Sequence, residues 1–371
     1  MRGKPQAQPD FLTVINLNAC VPADHPLRAI KRRVDAVLQK LSPLFDELYA
    51  AAGRWSIPPE QRLKSRGLCA LDSVRSERLF CEPRGYHLLW LWFLDREFGE
   101  GNFNHSVFAK NYARVLSADV AKLFFAEVYD QSRQERWTSD EHFPADGTLI
   151  ESWASLKSFV RKDGTDGQKV QAARDDDPGN PRVDFRGEQR RNDTHQSTTD
   201  PDSVLYRKAK GKEAKLCLGA HLLMENRHGL CADFTIHNPI TEPEPLMALR
   251  QVDEHTELHQ GTDPQTIGAD KNYHQQAFVR GCRQRQLAPP VACKARVQIP
   301  GLDQRTTTKS GYQTSQRIRK RVEEIIGWIK VIGGLRRSRY RGQERTQAWG
   351  YFVAGTYNLL RMARLELVTT N

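Results

Sequence analysis

Apolar and polar positions along this chain follow two different periods, and the change comes near residue 140. Up to about residue 135 the period is helical. Leu27, Ile30, Val34, Val37, Leu38 and Leu41 recur at helical spacing behind Asp24 and His25, with Pro26 in the first turn, where proline is tolerated. Arg28, Lys31, Arg32 and Arg33 fill the opposite face. Pro59 to Val74 and Glu77 to Phe93 predict further helices, and Ser117 opens another through Val120, Leu123, Phe124 and Val128. The apolar run Leu88 to Leu94 predicts core, because so much apolar surface gains by leaving water; an interaction surface is the lesser reading.

A polar break from Asp130 to Glu141 leads into a different texture. Phe143 to Ile150 reads as a strand. From about 161 to 213 apolar residues are sparse and aperiodic, which predicts a long polar insertion, disordered unless something binds it. His195 falls there and reads as loop. Lys215 to Met224 and Leu230 to His237 alternate around the turn Asn226 to Gly229, a hairpin pattern. A helix from Glu244 to Val252 follows, then a strand Thr266 to Asp270 and a helix containing Phe278, Val279 and Cys282. A strand around Val291 to Cys293 and a long helix from about Thr314 to Ile332 complete the order. This order predicts a mixed α/β sheet with helices packed on it.

The long helix carries the most chemistry. At about 100° per residue, Ile318, Val322, Ile325, Ile329 and Ile332 share one stripe. Arg319, Glu323 and Lys330 form a second stripe beside it, whereas Glu324 lies about 100° from Glu323. Two readings fit: a surface ion-pair ladder, or a metal-binding carboxylate flanked by phosphate-binding cations. Two isolated carboxylates in strand contexts, Asp146 and Asp270, favour the second, since burying a charge without a partner is costly. A turn or capping role is the bland alternative, and Gly147 suits it for Asp146. Three converging carboxylates call for divalent cations, and Mg2+ prefers such oxygen sites. Two such ions can assist an in-line phosphodiester displacement.

Composition narrows the partners. The 371 residues hold 56 Lys+Arg against 45 Asp+Glu, a formal charge of +11, and the pI is about 9.3. A polyanionic partner is the natural expectation. The longest apolar run has seven residues, far short of the roughly 20 that a spanning helix needs. The basic start, Met1 to Pro9, has no apolar stretch behind it, so no secretory signal is expected. Seven scattered cysteines without a C-x-x-C pair suggest reduced thiols in a cytosol.

Several segments together resemble bacterial insertion-sequence transposases of the DDE class. They are Asp146 to Ser155 with Lys157 to Phe159, Thr198 to Asp202 with Leu205 to Lys208, Lys212 to Leu216, Gly268 to Tyr273, Ser315 to Lys330 and Gly334 to Gly342. Val21 to Arg28 and Ser76 to Arg78 resemble the helical N-terminal domain of that family. The resemblance implies a ribonuclease-H-like catalytic domain over about 140–371, preceded by an all-α domain over 1–135 that recognises DNA ends and helps assembly. It implies a metal-binding triad of Asp146, Asp270 and Glu323 holding Mg2+ or Mn2+, with Arg319 and Lys330 clamping phosphate. The family's Y-R-E-K signature lands on Gln316, Arg319, Glu323 and Lys330, so Gln316 replaces the tyrosine. His274 stands where many relatives are acidic, and Leu63 to Leu68 carries two cations and a glycine in a helix that relatives keep apolar.

Between Arg305 and Arg345 twelve Lys and Arg residues face three acids, so this segment holds most of the net charge. Arg317, Lys320, Arg321, Arg336, Arg337, Arg339 and Arg341 are therefore expected on the phosphates of double-stranded DNA, both element ends and target. Arg28, Lys31, Arg32 and Arg33 are weaker candidates for reading the ends. Trp153 and Trp328 could stack on an unpaired base, although packing is the favoured reading for both. The expected activity is cutting and joining of DNA ends by a homodimer assembled on DNA, in the bacterial cytoplasm at the nucleoid, with no membrane. The alternative is a decayed or domesticated copy that binds DNA without strand transfer; a nuclease that never joins what it cuts is a third reading.

Overall fold

The helical period of the first third produces helices close to where it predicts them. The computed structural model describes residues 16–49, 56–99, 118–163, 184–185, 188–207, 213–294, 297–300, 302, 307–308 and 310–369. After a short turn of helix, α1 (Leu17–Cys20), comes α2 (Pro26–Leu48), with His25 Nδ1 accepting the Leu27 N–H and the predicted apolar stripe buried. α3 spans Pro59–Leu71. The expected helix Glu77 to Phe93 is instead α4 (Glu77–Cys81), a 3-10 turn (Pro83–Gly85) and α5 (Leu88–Phe93). Pro83 has no N–H to carry the α-helical ladder onward, and His87, with ψ 99°, leaves helical backbone before α5 begins. Trp90, Leu91, Phe93 and Leu94 are core, as expected. Ser117 lies outside the described residues; α6 is described as Ala118–Gln134. It runs into the expected polar break because Asp130 is paired there, with Arg133 at 3.1 Å and His259 at 2.8 Å.

The two cations that set α3 apart are buried and paired. Lys64 reaches Asp35 and Asp95, which Lys31 also binds, and Arg66 reaches Glu77 at 2.7 Å. The departure at Leu63 to Leu68 is therefore an internal ion-pair network, and α3 remains a helix.

The sheet is mixed. Its strands are β1 (Phe143–Glu151), β4 (Val204–Tyr206), β5 (Lys215–Met224), β6 (Cys231–His237) and β7 (Ile267–Gly268), with β2 (Phe159–Arg161) and β3 (His195–Ser197) forming a separate pair. β1 runs antiparallel to β5, with Gly147 opposite His221, and parallel to β7, with Phe143 opposite Ile267 and Pro144 opposite Gly268. β6 and β4 both pair with β5. The hairpin turn closes at Gly229 with φ +70°, the left-handed region that glycine adopts freely. α7 (Glu244–Leu258) and α8 (Gln276–Gln284) follow. The strand expected at Val291 to Cys293 is one bridge, Ala269 to Val291, because Pro289 and Pro290 have no N–H to extend it. This mixed sheet with packed helices behind a helical N-terminal region is the ribonuclease-H-like architecture that the resemblance implied.

The polar insertion is partly built. Residues 164–183 lie outside the description, but β3 and β4 stand where loop is predicted. His195 is buried in β3, its ring stacked on Phe159 at 5.6 Å. Asp200 is fully buried, accepts the Ser152 hydroxyl at 2.6 Å, and accepts the Gly342 N–H at 3.1 Å. Asp202 accepts the Gln343 N–H at 2.8 Å, so two carboxylates cap the start of the last helix.

That last helix, α11 (Gln343–Thr369), packs on α6, β6, α2 and α3 at once. One continuous core runs from Leu27 in α2 to Ala363 in α11. Among the described residues, no helix is long and apolar enough to cross a membrane.

Burial makes the fold acid-sensitive at histidines. Burial pushes His255 down to about 3, against an ordinary value of 6.5, so between these values the unfolded chain binds the proton more tightly. Stability drawn from the neutral ring is present above 6.5 and is lost as pH falls. His255→Phe removes this dependence. In urea unfolding series, the stability difference should move in the variant's favour by about 1.4 kcal/mol per pH unit below pH ~6.5; a difference that stays flat with pH counts against it.

Candidate active site

Strand register gives the two aspartates matching positions on β1 and just beyond β7. Continuing the parallel pairing of β1 with β7 by two residues sets Asp146 opposite Asp270, and residues two apart on a strand share a face. Asp270 caps a 3-10 turn (Lys271–Tyr273), its Oδ1 accepting the Asn272 N–H at 2.7 Å. Asp146 Oδ1 accepts the Gly147 N–H at 2.9 Å.

The helix carrying Glu323 lies over this face in three pieces: α9 (Ser310–Ile318), a 3-10 turn (Arg319–Arg321) and α10 (Val322–Val331). A 3-10 turn advances about 120° per residue, so a stripe drawn at 100° is offset across Arg319. Val322, Ile325 and Ile329 are buried as predicted, while Ile318 and Ile332 are only half-buried. Lys330 latches α10 to β1: its Nζ donates to Thr148 Oγ1 at 2.8 Å and to the Leu149 carbonyl at 2.9 Å.

The three carboxylates share one field. Burial pushes Asp146 up to about 6; the Gly147 N–H opposes this, Asp270 and Glu323 add to it, and Arg319 opposes it. Glu324 acts instead on Tyr357 in α11, so the two adjacent glutamates face different surroundings. Arg319 is half-buried, and its Nε is buried without a hydrogen-bond partner, a donor aimed at no protein acceptor.

The donor set suits a hard divalent ion, being all carboxylate oxygen. Among the described residues, no three His, Cys, Asp or Glu side chains lie close enough to hold one metal ion. Mg2+ does not need three, since it is usually bound through one or two carboxylates together with water and substrate phosphate.

Of the cations expected on DNA, Arg317, Lys320, Arg321, Arg336 and Arg341 are exposed. Arg337 is exposed but donates to the Ser152 and Trp153 carbonyls and lies 5.2 Å from the Trp153 ring centroid. Arg339 is half-buried, donating to the Val74 carbonyl at 3.0 Å with Trp349 beneath it at 5.1 Å; it ties the N-terminal helices to the rest. Trp153 is 56% exposed, against the packing expected for it, whereas Trp328 packs edge-on against Tyr357. The N-terminal candidates are all engaged internally. Arg28 binds the Val21 and Asn18 carbonyls, Lys31 binds Asp35 and Asp95, Arg32 binds Glu366, and Arg33 binds Glu135 and Glu366.

Two features escaped the sequence reading. Tyr312, one helical turn before Gln316, donates to the Val291 carbonyl at 3.0 Å, and Gln316 Nε2 donates to the Pro290 carbonyl at 2.6 Å. Tyr312 and Ser315 also line a cavity of about 740 Å³ at this end of α9. Glu244 is the other: its carboxyl group occupies the space that a side chain at Gly147 would take. The glycine beside Asp146 was the available signal.

Residues 166–359 match the family described as Transposase DDE domain, and residues 15–114 match that described as Transposase domain (DUF772). Asp270, Arg319, Glu323 and Lys330 fall inside the first match, and Asp146 falls between the two. No curated protein and no solved structure matches the chain.

Proposed function

The chain belongs to the DDE transposases, and on that premise we propose that it cuts the ends of an insertion sequence and joins them to target DNA by metal-assisted phosphodiester transfer. The observation that carries this reading is the shared field of Asp146, Asp270 and Glu323, with the partnerless Nε of Arg319 beside it. Asp146, Asp270 and Glu323 would hold Mg2+ or Mn2+. When bound, these ions supply Lewis-acid stabilisation of charge on the attacking and leaving oxygens. Arg319 donates to a phosphate oxygen and steadies the charge that develops on it. Lys330 keeps α10 against β1, and through that Glu323, two turns earlier on the same helix, stays on the Asp146 face. Two ends must be handled together, so the protein acts as a homodimer on DNA, at the nucleoid of a bacterial cytoplasm.

The test is a duplex copied from DNA flanking the reading frame, incubated with the protein, Mg2+ and a plasmid target. Cut ends joined to the plasmid support the proposal. Cut ends that are never joined indicate a hydrolytic nuclease, and retention without cutting indicates a DNA-binding copy that has lost the chemistry.

The exposed cations make a separate prediction. Lys320→Ala, Arg321→Ala and Arg336→Ala should each weaken binding to all sequences alike and lower the slope of log K against log salt by about 0.9. Filter binding across a salt series measures it, and a slope unchanged in all three variants removes these residues from the DNA surface.

A further inference from the structure

Parallel pairing between β1 and β7 stops at Pro144 and Gly268, two residues short of Asp146 and Asp270. No ladder hydrogen bond therefore sets the gap between the two carboxylates. A buried chain of side chains reaches it from the other face of the sheet. Tyr273, the last residue of the turn that Asp270 caps, lies with its hydroxyl 2.5 Å from His221 Nε2. His221 sits on β5 opposite Gly147, the residue after Asp146. Its Nδ1 lies 2.5 Å from Gln251 Oε1 on α7. Tyr273, His221 and Gln251 are all fully buried.

Direction along the chain is fixed. Gln251 Nε2 donates to the His221 carbonyl at 3.0 Å and to Thr235 Oγ1 at 3.1 Å, so its Oε1 can only accept. The Thr235 hydroxyl in turn donates to Asp233 Oδ2 at 3.0 Å. His221 must then carry its proton on Nδ1, which leaves Nε2 as an acceptor and makes Tyr273 the donor. Burial holds His221 neutral, down to about 3, and keeps the Tyr273 phenol protonated, in agreement with these roles. The turn bearing Asp270 is thus fastened to the strand next to Asp146 by one phenol–imidazole bond, whose imidazole is itself oriented by Gln251.

We infer that His221 and Tyr273 are positioning residues that hold Asp270 at its spacing from Asp146, an inference that rests on the reading of those carboxylates as metal ligands. Neither touches substrate. Groups that orient ligating side chains commonly change metal affinity by ~10–100-fold when removed.

The experiment uses the full chain bound to duplex DNA, titrated with Mn2+ and followed by the electron paramagnetic resonance of the free ion. Tyr273→Phe keeps the ring, which packs edge-on against Phe278, and removes only the hydroxyl. Its Mn2+ affinity should fall by about tenfold, whereas His221→Gln, which still offers the phenol an acceptor, should stay within about threefold of wild type. A purely structural role gives the opposite order, because His221→Gln loses a buried ring and should have the lower melting temperature. Mn2+ affinity in Tyr273→Phe equal to wild type, or affinities that follow melting temperature across the two variants, overturns the inference. Asp270→Ala separates the two levels. If it loses Mn2+ while Tyr273→Phe does not, the positioning role alone falls; if it binds Mn2+ like wild type, the ligand reading falls and takes the positioning role with it.

Discussion

Glu323→Ala is expected to leave DNA bound and uncut, while Glu324→Ala binds and cuts. The two glutamates are adjacent and both exposed in the first turn of α10, so composition and local charge change equally in either variant. What differs is direction: the charge of Glu323 acts on Asp146, and that of Glu324 acts on Tyr357. Loss of a carboxylate that holds a catalytic ion removes several kcal/mol of transition-state stabilisation, which is a fall of about a thousandfold or more in cleavage rate. Asp146→Ala and Asp270→Ala should fall as far, with gel retention of DNA unchanged because the exposed cations are untouched. The opposite pattern, with Glu324→Ala inactive and Glu323→Ala active, means that the catalytic helix has been read on the wrong face.

Joint replacement of Asp35 and Asp95 by alanine should destabilise the protein by about 3–5 kcal/mol, although both carboxylates are substantially exposed. Their removal matters because of what they leave behind. Lys64 is 6% exposed within α3, and these two carboxylates are its ion-pair partners. Lys31, half-buried beside it, binds the same pair, with Asp95 at 2.6 Å and Asp35 at 2.9 Å. Two ammonium groups would then face each other without a counter-charge, one of them out of water. The melting temperature should fall by roughly 5 °C, and Lys64→Met in the same background should recover most of that by removing the buried charge. Circular dichroism melts of wild type and the two variants decide it: an unchanged midpoint in the double variant would show that water already solvates Lys64.

The elements built from strong periodicity were legible in the sequence, and so was the face they present. The α2 stripe, the hairpin around Gly229 and the Val322, Ile325 and Ile329 seam follow from spacing alone. That the charge of Asp270 acts on Asp146 needs one fact more, the parallel register of β1 and β7, which no local pattern specifies. The 3-10 turn at Arg319–Arg321 does not show in the sequence because the same residues are compatible with an α-helix. The partners of the N-terminal cations depend on distant residues in the same way. The N-terminal row Arg28, Lys31, Arg32 and Arg33 looks like a solvated or DNA-facing stripe until Asp95, Glu135 and Glu366 arrive from distant parts of the chain. His195 and Trp153 were misplaced in opposite senses, one buried by Phe159 and the other left outside with Arg337 on its ring.

The shared core of α2, α3, α6 and α11 bears on how such proteins can diverge. The closing helix packs against α2, α3 and α6, so the opening helices share their core with it. A hybrid that takes its first 135 residues from a relative inherits a mismatched seam along Gln343–Thr369, and must import that helix's inward side as well. Exchanging the opening helices between lineages therefore requires matched changes at both extremities of the polypeptide, and a heat-capacity trace of the intact protein should show a single peak where separable halves would give two.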